Sequence, residues 1–270
     1  MKRLEIMEAV TNINPSRKIE IIDFTFLIPV RIDTVIRLEN LLLSIEYLLQ
    51  NFETNIIVIE ADGYDNGILR KLIGKKVHYF FIEDKDLVYY KTKYVNMLSL
   101  KSNTPFIGIW DSDIIIPKEQ ILDSIIKLRE GYEVAYPYDG KFYDASDIIR
   151  EFFLRKKNIE ILIRNIDKMS IKYGDDMVGG AVFVNKAAFI NAGMESEKFY
   201  GWGNEDYDRH YRWEILGYKI FRSLGGLFHL SHPRGNNSKF RSNEQTLRTF
   251  RERQITKESS SEEIKKQIPL

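Results

Sequence analysis

Two aspartates one residue apart follow a short apolar segment near the middle of the chain. The segment 106–110 is rich in isoleucine and predicts a buried strand, and Asp111 and Asp113 come directly after it. Side chains alternate along an extended chain, so we expect both carboxylates on one face. Burying a charge is costly unless it is paired or bound to a cation. The pattern therefore indicates either a divalent cation with a phosphate ligand or a polar turn, where Asp is common.

Two of the four histidines, His229 and His232, lie within four residues of each other. Imidazole and carboxylate ligands together suit Mn²⁺ and similar ions. A site of Asp and His with open positions for water and phosphate would act as a Lewis acid on a leaving diphosphate. The alternative is a pair of ordinary surface or core histidines. His210 lies in a charged helical segment without such neighbours, and we expect it to be structural.

A third candidate group is the segment Trp202-Gly203-Asn204-Glu205-Asp206. Its glycine lets the backbone turn tightly and approach a ligand. The two carboxylates open a predicted helix, where the helix dipole alone would favour them. In the functional alternative, one carboxylate deprotonates an acceptor hydroxyl and the other binds it. A partly desolvated carboxylate has a raised pKa that suits a general base.

Strands and helices alternate through the first half of the chain, which predicts a mostly parallel sheet. The predicted strands are 19–30, 55–60, 76–82 and 106–110, and the predicted helices are 34–51 and 89–102. Ligands bind at the carboxyl ends of the strands in such sheets. The polar residues predicted at these ends are Arg31, Glu60, Asp62, Asp111 and Asp113. Their convergence favours a ligand site at this edge.

The second half continues with shorter elements. The predicted strands are 133–137, 181–184, 219–222 and 227–230, and the predicted helices are 118–131, 185–192 and 205–216. The segment 142–172 is rich in charge and in Ile and Leu, which predicts a helical insertion; a packed insertion is favoured over an acceptor-side lid. Residues 251–270 are mostly charged and predict either a surface helix or a partly disordered tail.

The composition excludes several classes of protein. The chain has 270 residues, 44% of them hydrophobic, and a formal net charge of +1, so no global field points to nucleic acid or an anionic membrane. It has no cysteine, which excludes disulfides and Cys-based zinc sites. Charges at the N-terminus argue against a signal peptide, and no apolar run approaches the roughly 18 residues of a membrane span.

The order of these motifs along the chain, over about residues 22–234, resembles an inverting nucleotide-sugar glycosyltransferase of the GT-A fold, family 2 type. The C-terminal half resembles the galactosyltransferase module of animal β-1,4-galactosyltransferases and polypeptide N-acetylgalactosaminyltransferases. The quoted motifs are Ile28-Pro29-Val30-Arg31, Asp111-Ser112-Asp113, Gly179-Gly180, Trp202-Gly-Asn-Glu205-Asp206 and His229-x-x-His232.

The resemblance implies an α/β fold with a Rossmann-like, mostly parallel central sheet flanked by helices. One domain would cover residues 1–250, with a nucleotide-binding half at 22–115, a donor-sugar and acceptor half at 116–234, and a charged tail at 251–270. It also implies a binding role for many residues. Those matched to the nucleotide or donor sugar are Pro29, Val30, Arg31, Glu60, Asp62, Lys91, Lys93, Trp110, Asp111, Ser112, Gly179, Gly180, Trp202 and Gly203.

By the same resemblance, Asp206 matches the catalytic base and Glu205 an acceptor-binding carboxylate. The implied cofactor is Mn²⁺, or Mg²⁺ in its place, and the implied donor is a UDP-sugar. His229 stands where the galactosyltransferases use Met, so the chain departs from the family pattern at that ligand. The candidate metal ligands are Asp111, Asp113, His229 and His232.

The resemblance therefore implies a UDP-sugar-dependent hexosyltransferase that acts on a carbohydrate acceptor in surface polysaccharide biosynthesis. We expect a cytoplasmic enzyme, either free or peripheral to the inner face of the membrane, with no nucleic-acid partner. One alternative is a nucleotidyltransferase, which would need a Gly-rich, basic phosphate loop where this chain has Pro29-Val30-Arg31. The other is a non-catalytic module that binds a nucleotide sugar or glycan.

Overall fold

The computed structural model describes residues 18–233, 235, 237 and 239–268. The N-terminal charges considered above, Arg234 and the last two residues lie outside this part. Eleven strands lie within the described residues: β1 (Ile19–Val30), β2 (Phe52–Asp62), β3 (His78–Glu83), β4 (Phe106–Trp110), β5 (Ile114–Ile115), β6 (Val134–Tyr136), β7 (Phe142–Ala145), β8 (Ser170–Ile171), β9 (Ala181–Asn185), β10 (Ile220–Arg222) and β11 (Leu227–Leu230).

Ten α-helices occur in the described part of the chain. They are α1 (Val35–Asn51), α2 (Ile68–Leu72), α3 (Lys91–Lys101), α4 (Lys118–Arg129), α5 (Asp147–Lys156), α6 (Glu160–Ile163), α7 (Lys186–Asn191), α8 (Glu205–Ile215), α9 (Asn243–Glu258) and α10 (Ser261–Gln267). No helix there is long and apolar enough to span a membrane. The Thr34 side chain caps α1 by accepting a hydrogen bond from the Arg37 backbone N–H.

A seven-stranded sheet in the order β10-β6-β9-β4-β1-β2-β3 forms the centre of the fold. Strands β1 to β4 are mutually parallel where they pair, and β9 runs antiparallel to both β4 and β6. A second sheet, in the order β5-β11-β7-β8, contains His229 in β11, and His232 follows two residues after the end of that strand. The predicted α/β fold with a mostly parallel central sheet is confirmed.

Several predicted elements agree closely with the structure, because long apolar runs and Gly or Pro breaks are local signals. Strands β1, β4 and β11 have the predicted bounds. The purely helical prediction for 142–172 is wrong at both ends, where β7 and β8 pair with each other. These strands are two to four residues long, too short for a periodic signal. The short helix α2 was also missed.

The C-terminal segment is helical and packs on the helix that opens at Glu205. Thr256 Oγ1 donates to Asp208 Oδ1 at 2.5 Å, and Arg253 donates to Asn204 Oδ1 at 2.9 Å. Ile264 of α10 is buried. The surface-helix alternative for the tail therefore applies, and the predicted boundary at residue 250 falls inside α9. These contacts also brace the loop that carries the third candidate motif.

Candidate active site

A cavity of about 310 Å³ opens at the carboxyl ends of β1 and β4. The first turn of α8 and the segment after β11 complete its wall. Distant parts of the sequence thus meet at the edge where parallel sheets bind ligands. The predicted site residues that line it are Pro29, Val30, Arg31, Lys91, Asp111, Ser112, Asp113, Gly179, Gly180, Trp202, Gly203, Glu205, Asp206, His229 and His232.

One carboxylate and two imidazoles form a cluster at one end of the cavity. Asp113, His229 and His232 each offer a ligand atom, and these atoms lie within 4.8 Å of one another. His232 Nε2 is 2.9 Å from Asp113 Oδ2, and His229 Nε2 is 3.8 Å from the same oxygen. The cationic neighbours outweigh burial and lower the pKa of Asp113, which stays ionised. This donor set suits Mn²⁺.

The orientation of His229 is fixed by a residue that the sequence analysis missed. Asp144 Oδ1 lies 2.6 Å from His229 Nδ1, and Lys172 pairs with the other Asp144 oxygen at 2.5 Å. An ionised carboxylate accepts the Nδ1 proton, so the Nε2 lone pair is left for a cation, as is usual for metal-bound His. The residues present therefore fit a divalent metal ion. The sequence signal for Asp144 was weak, because it lies in the four-residue strand β7, whose pairing with β11 and β8 local periodicity does not show.

The strand that carries His229 is held on several sides. It pairs with β5 and β7, and Leu230 N–H donates to the Asp113 carbonyl at 2.8 Å. The buried Asn40 side chain donates to the Leu230 carbonyl, also at 2.8 Å. These bonds bring the two halves of the candidate metal centre into a fixed relation, although more than 100 residues separate them in sequence.

Asp33 and Arg37, at the start of α1, line the cavity and were also not predicted as site residues. Arg37 pairs with Asp33 at 2.9 Å, with Asp113 at 3.6 Å, and lies 3.4 Å from His232 Nδ1. Their spacing of four residues at a helix start was a signal that could have identified them. Arg37 places a permanent positive charge beside the candidate metal ligands.

Asp111 makes a different contact from Asp113. Its Oδ1 lies 2.7 Å from Lys91 Nζ, and it does not belong to the three-residue cluster. The strand ends at Trp110 and the chain turns at 112–113, so the expected alternation of a straight strand does not apply. The structure thus favours Asp111 as a partner of Lys91 at the cavity wall and does not bring it to the metal ligands.

The two carboxylates that open α8 have opposite electrostatic environments. Burial and the nearby Asp206 raise the pKa of Glu205 to about 7. For Asp206, Lys91 and Arg209 outweigh the effect of burial and lower the pKa. The raised pKa that we expected for the catalytic base is therefore found on Glu205 and not on Asp206. Asp206 is ionised at neutral pH, and its side chain is 21% exposed, compared with 7% for Glu205.

Arg31 lines the cavity but is already engaged by the protein. It pairs with Asp84 at 2.9 Å and donates to the Ala61 and Asp86 carbonyls, each at 2.8 Å. Its guanidinium also lies over the Tyr89 ring, 5.4 Å from the centroid. Arg31 therefore fixes the segment that places Tyr89 against the cavity.

Four predicted nucleotide-binding residues are not brought to the cavity. Glu60 accepts a hydrogen bond from the Tyr79 hydroxyl, and Asp62 caps its own turn at the Gly63 N–H. Lys93 is exposed on the far side of α3 from Lys91. The fourth, Trp110, is fully buried.

Trp110 belongs to the aromatic core beneath the site. Its Nε1–H donates to Ser44 Oγ at 2.8 Å, and its ring packs edge-on against Phe26. Phe183 packs against both of these rings, and a Cβ on Gly108 would come within 2.9 Å of the Phe183 ring. The position of Trp110 next to Asp111 in the sequence suggested a ligand role. Side chains alternate along the strand, however, and that of Trp110 points into the core.

Residues 160–233 match a family model described as the N-terminal domain of galactosyltransferase. No curated protein matches the chain significantly. Among solved structures, the chain is similar to the catalytic domain of Drosophila β1,4-galactosyltransferase 7 in complex with xylobiose, with a TM-score of 0.55 and 15% identity over 86% of this chain and 79% of that one.

A mutant of the same Drosophila enzyme, in complex with manganese, UDP-Gal and xylobiose, has a TM-score of 0.55 and 14% identity over 85% of this chain and 79% of that one. A mannosyltransferase from Pyrobaculum calidifontis, in complex with GDP-Man and Mn²⁺, has a TM-score of 0.52 and 12% identity over 86% of this chain and 65% of that one. The chain therefore has a galactosyltransferase-like GT-A fold.

Proposed function

We propose that this protein is a metal-dependent glycosyltransferase that moves a hexose such as Gal, GalNAc or GlcNAc from a UDP-sugar to a hydroxyl of a glycan acceptor, with inversion at the anomeric carbon. The observation that carries the proposal is one cavity with a cluster of metal ligands, Asp113, His229 and His232, and a separate ionised carboxylate, Asp206. The similarity to glycosyltransferases that bind Mn²⁺ and nucleotide sugars supports it.

In the proposed reaction, the bound cation would neutralise negative charge that grows on the departing diphosphate. Lys91 places a second positive charge on the cavity wall, 2.7 Å from Asp111 and 4.0 Å from Glu205. Asp206 accepts the proton of the acceptor hydroxyl as that oxygen bonds to the anomeric carbon. The bond from this carbon to the phosphate oxygen breaks, and its electron pair leaves with UDP.

Glu205 has the complementary role of binding the acceptor. Its Oε2 accepts a hydrogen bond from the Gly203 backbone N–H at 2.9 Å, which fixes the side chain within the loop. Because its pKa is raised to about 7, Glu205 exists in both protonation states near neutral pH and can either donate to or accept from a sugar hydroxyl. We assign the biological setting to surface polysaccharide assembly, in the cytoplasm or at the inner face of the membrane.

The proposal is tested by thermal unfolding with UDP, GDP and their galactose, N-acetylglucosamine and mannose conjugates, each with and without Mn²⁺. A ligand that binds only the native state raises the apparent melting temperature. We expect a UDP-dependent rise that needs Mn²⁺. A rise with GDP but not with UDP would mean that the donor is a GDP-sugar. No rise with any nucleotide would contradict the presence of a nucleotide-sugar site.

Turnover separates an enzyme from a binding module. We expect UDP release from a UDP-hexose with Mn²⁺, and a loss of about 100- to 10,000-fold in Asp206→Asn with UDP binding retained. Rates close to wild type in Asp206→Asn would remove Asp206 from the mechanism. Full transfer in excess chelator would contradict the metal assignment.

A further inference from the structure

The two oxygens of Asp206 have different surroundings. Oδ1 accepts a hydrogen bond from Arg209 Nη2 at 2.7 Å. No described residue donates a hydrogen bond to Oδ2, which lies 2.7 Å from the point that a Cβ on Gly179 would occupy. Since the Asp206 side chain lines the cavity and is partly exposed, Oδ2 is the oxygen left for a ligand.

Arg209 is held by a second carboxylate behind it. Its Nη1 pairs with Glu195 Oε1, and both side chains are almost fully buried. Arg209 Nε and Glu195 Oε2 have no partner among the described residues. A buried ion pair is weak evidence for stability, because well-packed apolar residues often serve as well, and unpaired buried polar atoms add a cost. The arrangement is therefore better explained by what it does to Asp206.

Gly179 is fixed in place on the other side of Asp206. The buried Tyr138 hydroxyl donates to the Gly179 carbonyl at 2.6 Å, and the Ala181 N–H also donates to it at 3.0 Å. The backbone at Gly179 thus has little freedom to withdraw. Any side chain at this position would displace Oδ2, so the missing Cβ is needed for the observed position of the carboxylate.

On the basis of the proposed function, we propose that Arg209, backed by Glu195, is a positioning residue that occupies Oδ1 of Asp206, and that Gly179 leaves Oδ2 as the atom that receives the acceptor proton. When water replaces the glycan as acceptor, as in the UDP-release assay below, one proton of the water moves to Oδ2 and the water oxygen bonds to the anomeric carbon. The bond from that carbon to the phosphate oxygen breaks, and its electron pair leaves with UDP. Arg209 also keeps Asp206 ionised between turnovers.

Several charged or titratable groups surround Asp206, and a change in its titration must be judged against all of them. Lys91 faces it from α3, and Asp111 from the turn after β4. The groups that act on Asp206 or that it acts on are Lys91, Asp111, Tyr136, Tyr138, Glu195, Glu205, Tyr207 and Arg209. A variant that leaves Lys91 and Asp111 unchanged isolates the combined contribution of the Arg209–Glu195 pair.

The steric part is tested with Gly179→Ala, and Gly63→Ala is the matched control, because a Cβ at Gly63 meets nothing within 4 Å. Release of UDP from UDP-galactose with Mn²⁺ is the probe of turnover. We expect kcat to fall at least 30-fold in Gly179→Ala with the Kd of UDP within threefold of wild type. The control should match wild type. A kcat within twofold of wild type in Gly179→Ala would overturn this part.

The electrostatic part is tested with the double variant Arg209→Gln/Glu195→Gln, which removes both charges of the buried pair and so avoids leaving an ionised Glu195 without its partner. The pKa of the Asp206 carboxyl is measured by ¹³C NMR, with Asp206→Asn for assignment. We expect the pKa to rise by at least one unit and kcat to fall at least tenfold. The acid limb of the kcat profile should move to higher pH, which a purely structural defect would not cause.

The two readouts separate this inference from the proposed function. An unchanged Asp206 pKa in a folded double variant would overturn the role of Arg209 whatever the activity. Should wild type release no UDP from UDP-galactose or other UDP-hexoses while the NMR titration moves as expected, the proposed function would fail and the control of Asp206 by Arg209 would stand. The conservative variant Arg209→Lys keeps the positive charge. The pKa of Asp206 in this variant should therefore lie between its values in wild type and in the double variant.

Discussion

His229 and Asp144 face each other in register across the parallel strands β11 and β7, with Nδ1 of the imidazole 2.6 Å from a carboxylate oxygen. The pair directs the other ring nitrogen towards Asp113, the carboxylate of the three-residue cluster. A residue from the segment predicted to be an insertion therefore sets the geometry of the candidate metal centre. The short strand β7 thus orients a candidate metal ligand in addition to extending the second sheet.

Replacing Asp144 by Asn should weaken metal binding. The amide carries no charge to stabilise the Nδ1 proton of His229, and loss of such an orienting partner typically reduces metal affinity 10- to 100-fold. The measurement is Mn²⁺ titration by calorimetry in the presence of UDP. Asp167→Asn, an exposed carboxylate on the same segment, is the control. An unchanged Mn²⁺ affinity in Asp144→Asn would show that this pair is only structural.

Replacing Lys91 by Met should weaken UDP binding. Lys91 is paired with Asp111 at 2.7 Å, so its loss leaves a carboxylate unpaired in the cavity. Contacts of charged groups are worth about 1.5–3 kcal/mol, which corresponds to roughly 10- to 150-fold in Kd. Lys93→Met is the matched control, because Lys93 is exposed on the same helix and does not line the cavity. Equal losses of UDP affinity in Lys91→Met and Lys93→Met would contradict the placement of Lys91, and not Lys93, at the nucleotide site.

The stability of the metal-free protein should depend on the protonation of Glu205. Its pKa is raised from 4.5 to about 7, so between these values the native protein keeps a proton that the unfolded chain has released. The free energy of unfolding therefore falls as pH rises through this window, by up to about 1.4 kcal/mol per pH unit from this group. Urea unfolding at pH 5 and pH 7 measures it. Glu205→Gln should flatten the dependence, and an equally steep slope in that variant would assign it to another group.

Replacing Trp110 by Phe should lower stability without affecting the ligand site. The change removes the hydrogen bond to Ser44 and part of a fully buried ring, at a cost of about 1–3 kcal/mol. Urea unfolding gives the loss, and UDP calorimetry with Mn²⁺ gives the Kd. We expect the Kd to stay within twofold of wild type. A large loss of affinity in a folded variant would return Trp110 to the nucleotide site.

The sequence by itself determined the order of the main strands, the bounds of β1, β4 and β11, and the motifs that end at one edge of the sheet. These are local properties: an apolar run such as 106–110 predicts a buried strand, and the carboxyl ends of parallel strands meet without further information. The edge of the sheet was also predictable for Arg31 and Asp113, because each follows a predicted strand.

Only the tertiary structure decided which charges meet across the cavity. Asp144 reaches His229 through a short strand pairing, Arg209 donates a hydrogen bond to one oxygen of Asp206, and Lys91 pairs with Asp111. Spacing along the chain carries no record of such partners, since they depend on strand register and side-chain rotamers. The same reason explains why a lowered pKa was found for Asp206: the sign of the shift is set by cations from other elements, whose positions exist only in the folded chain.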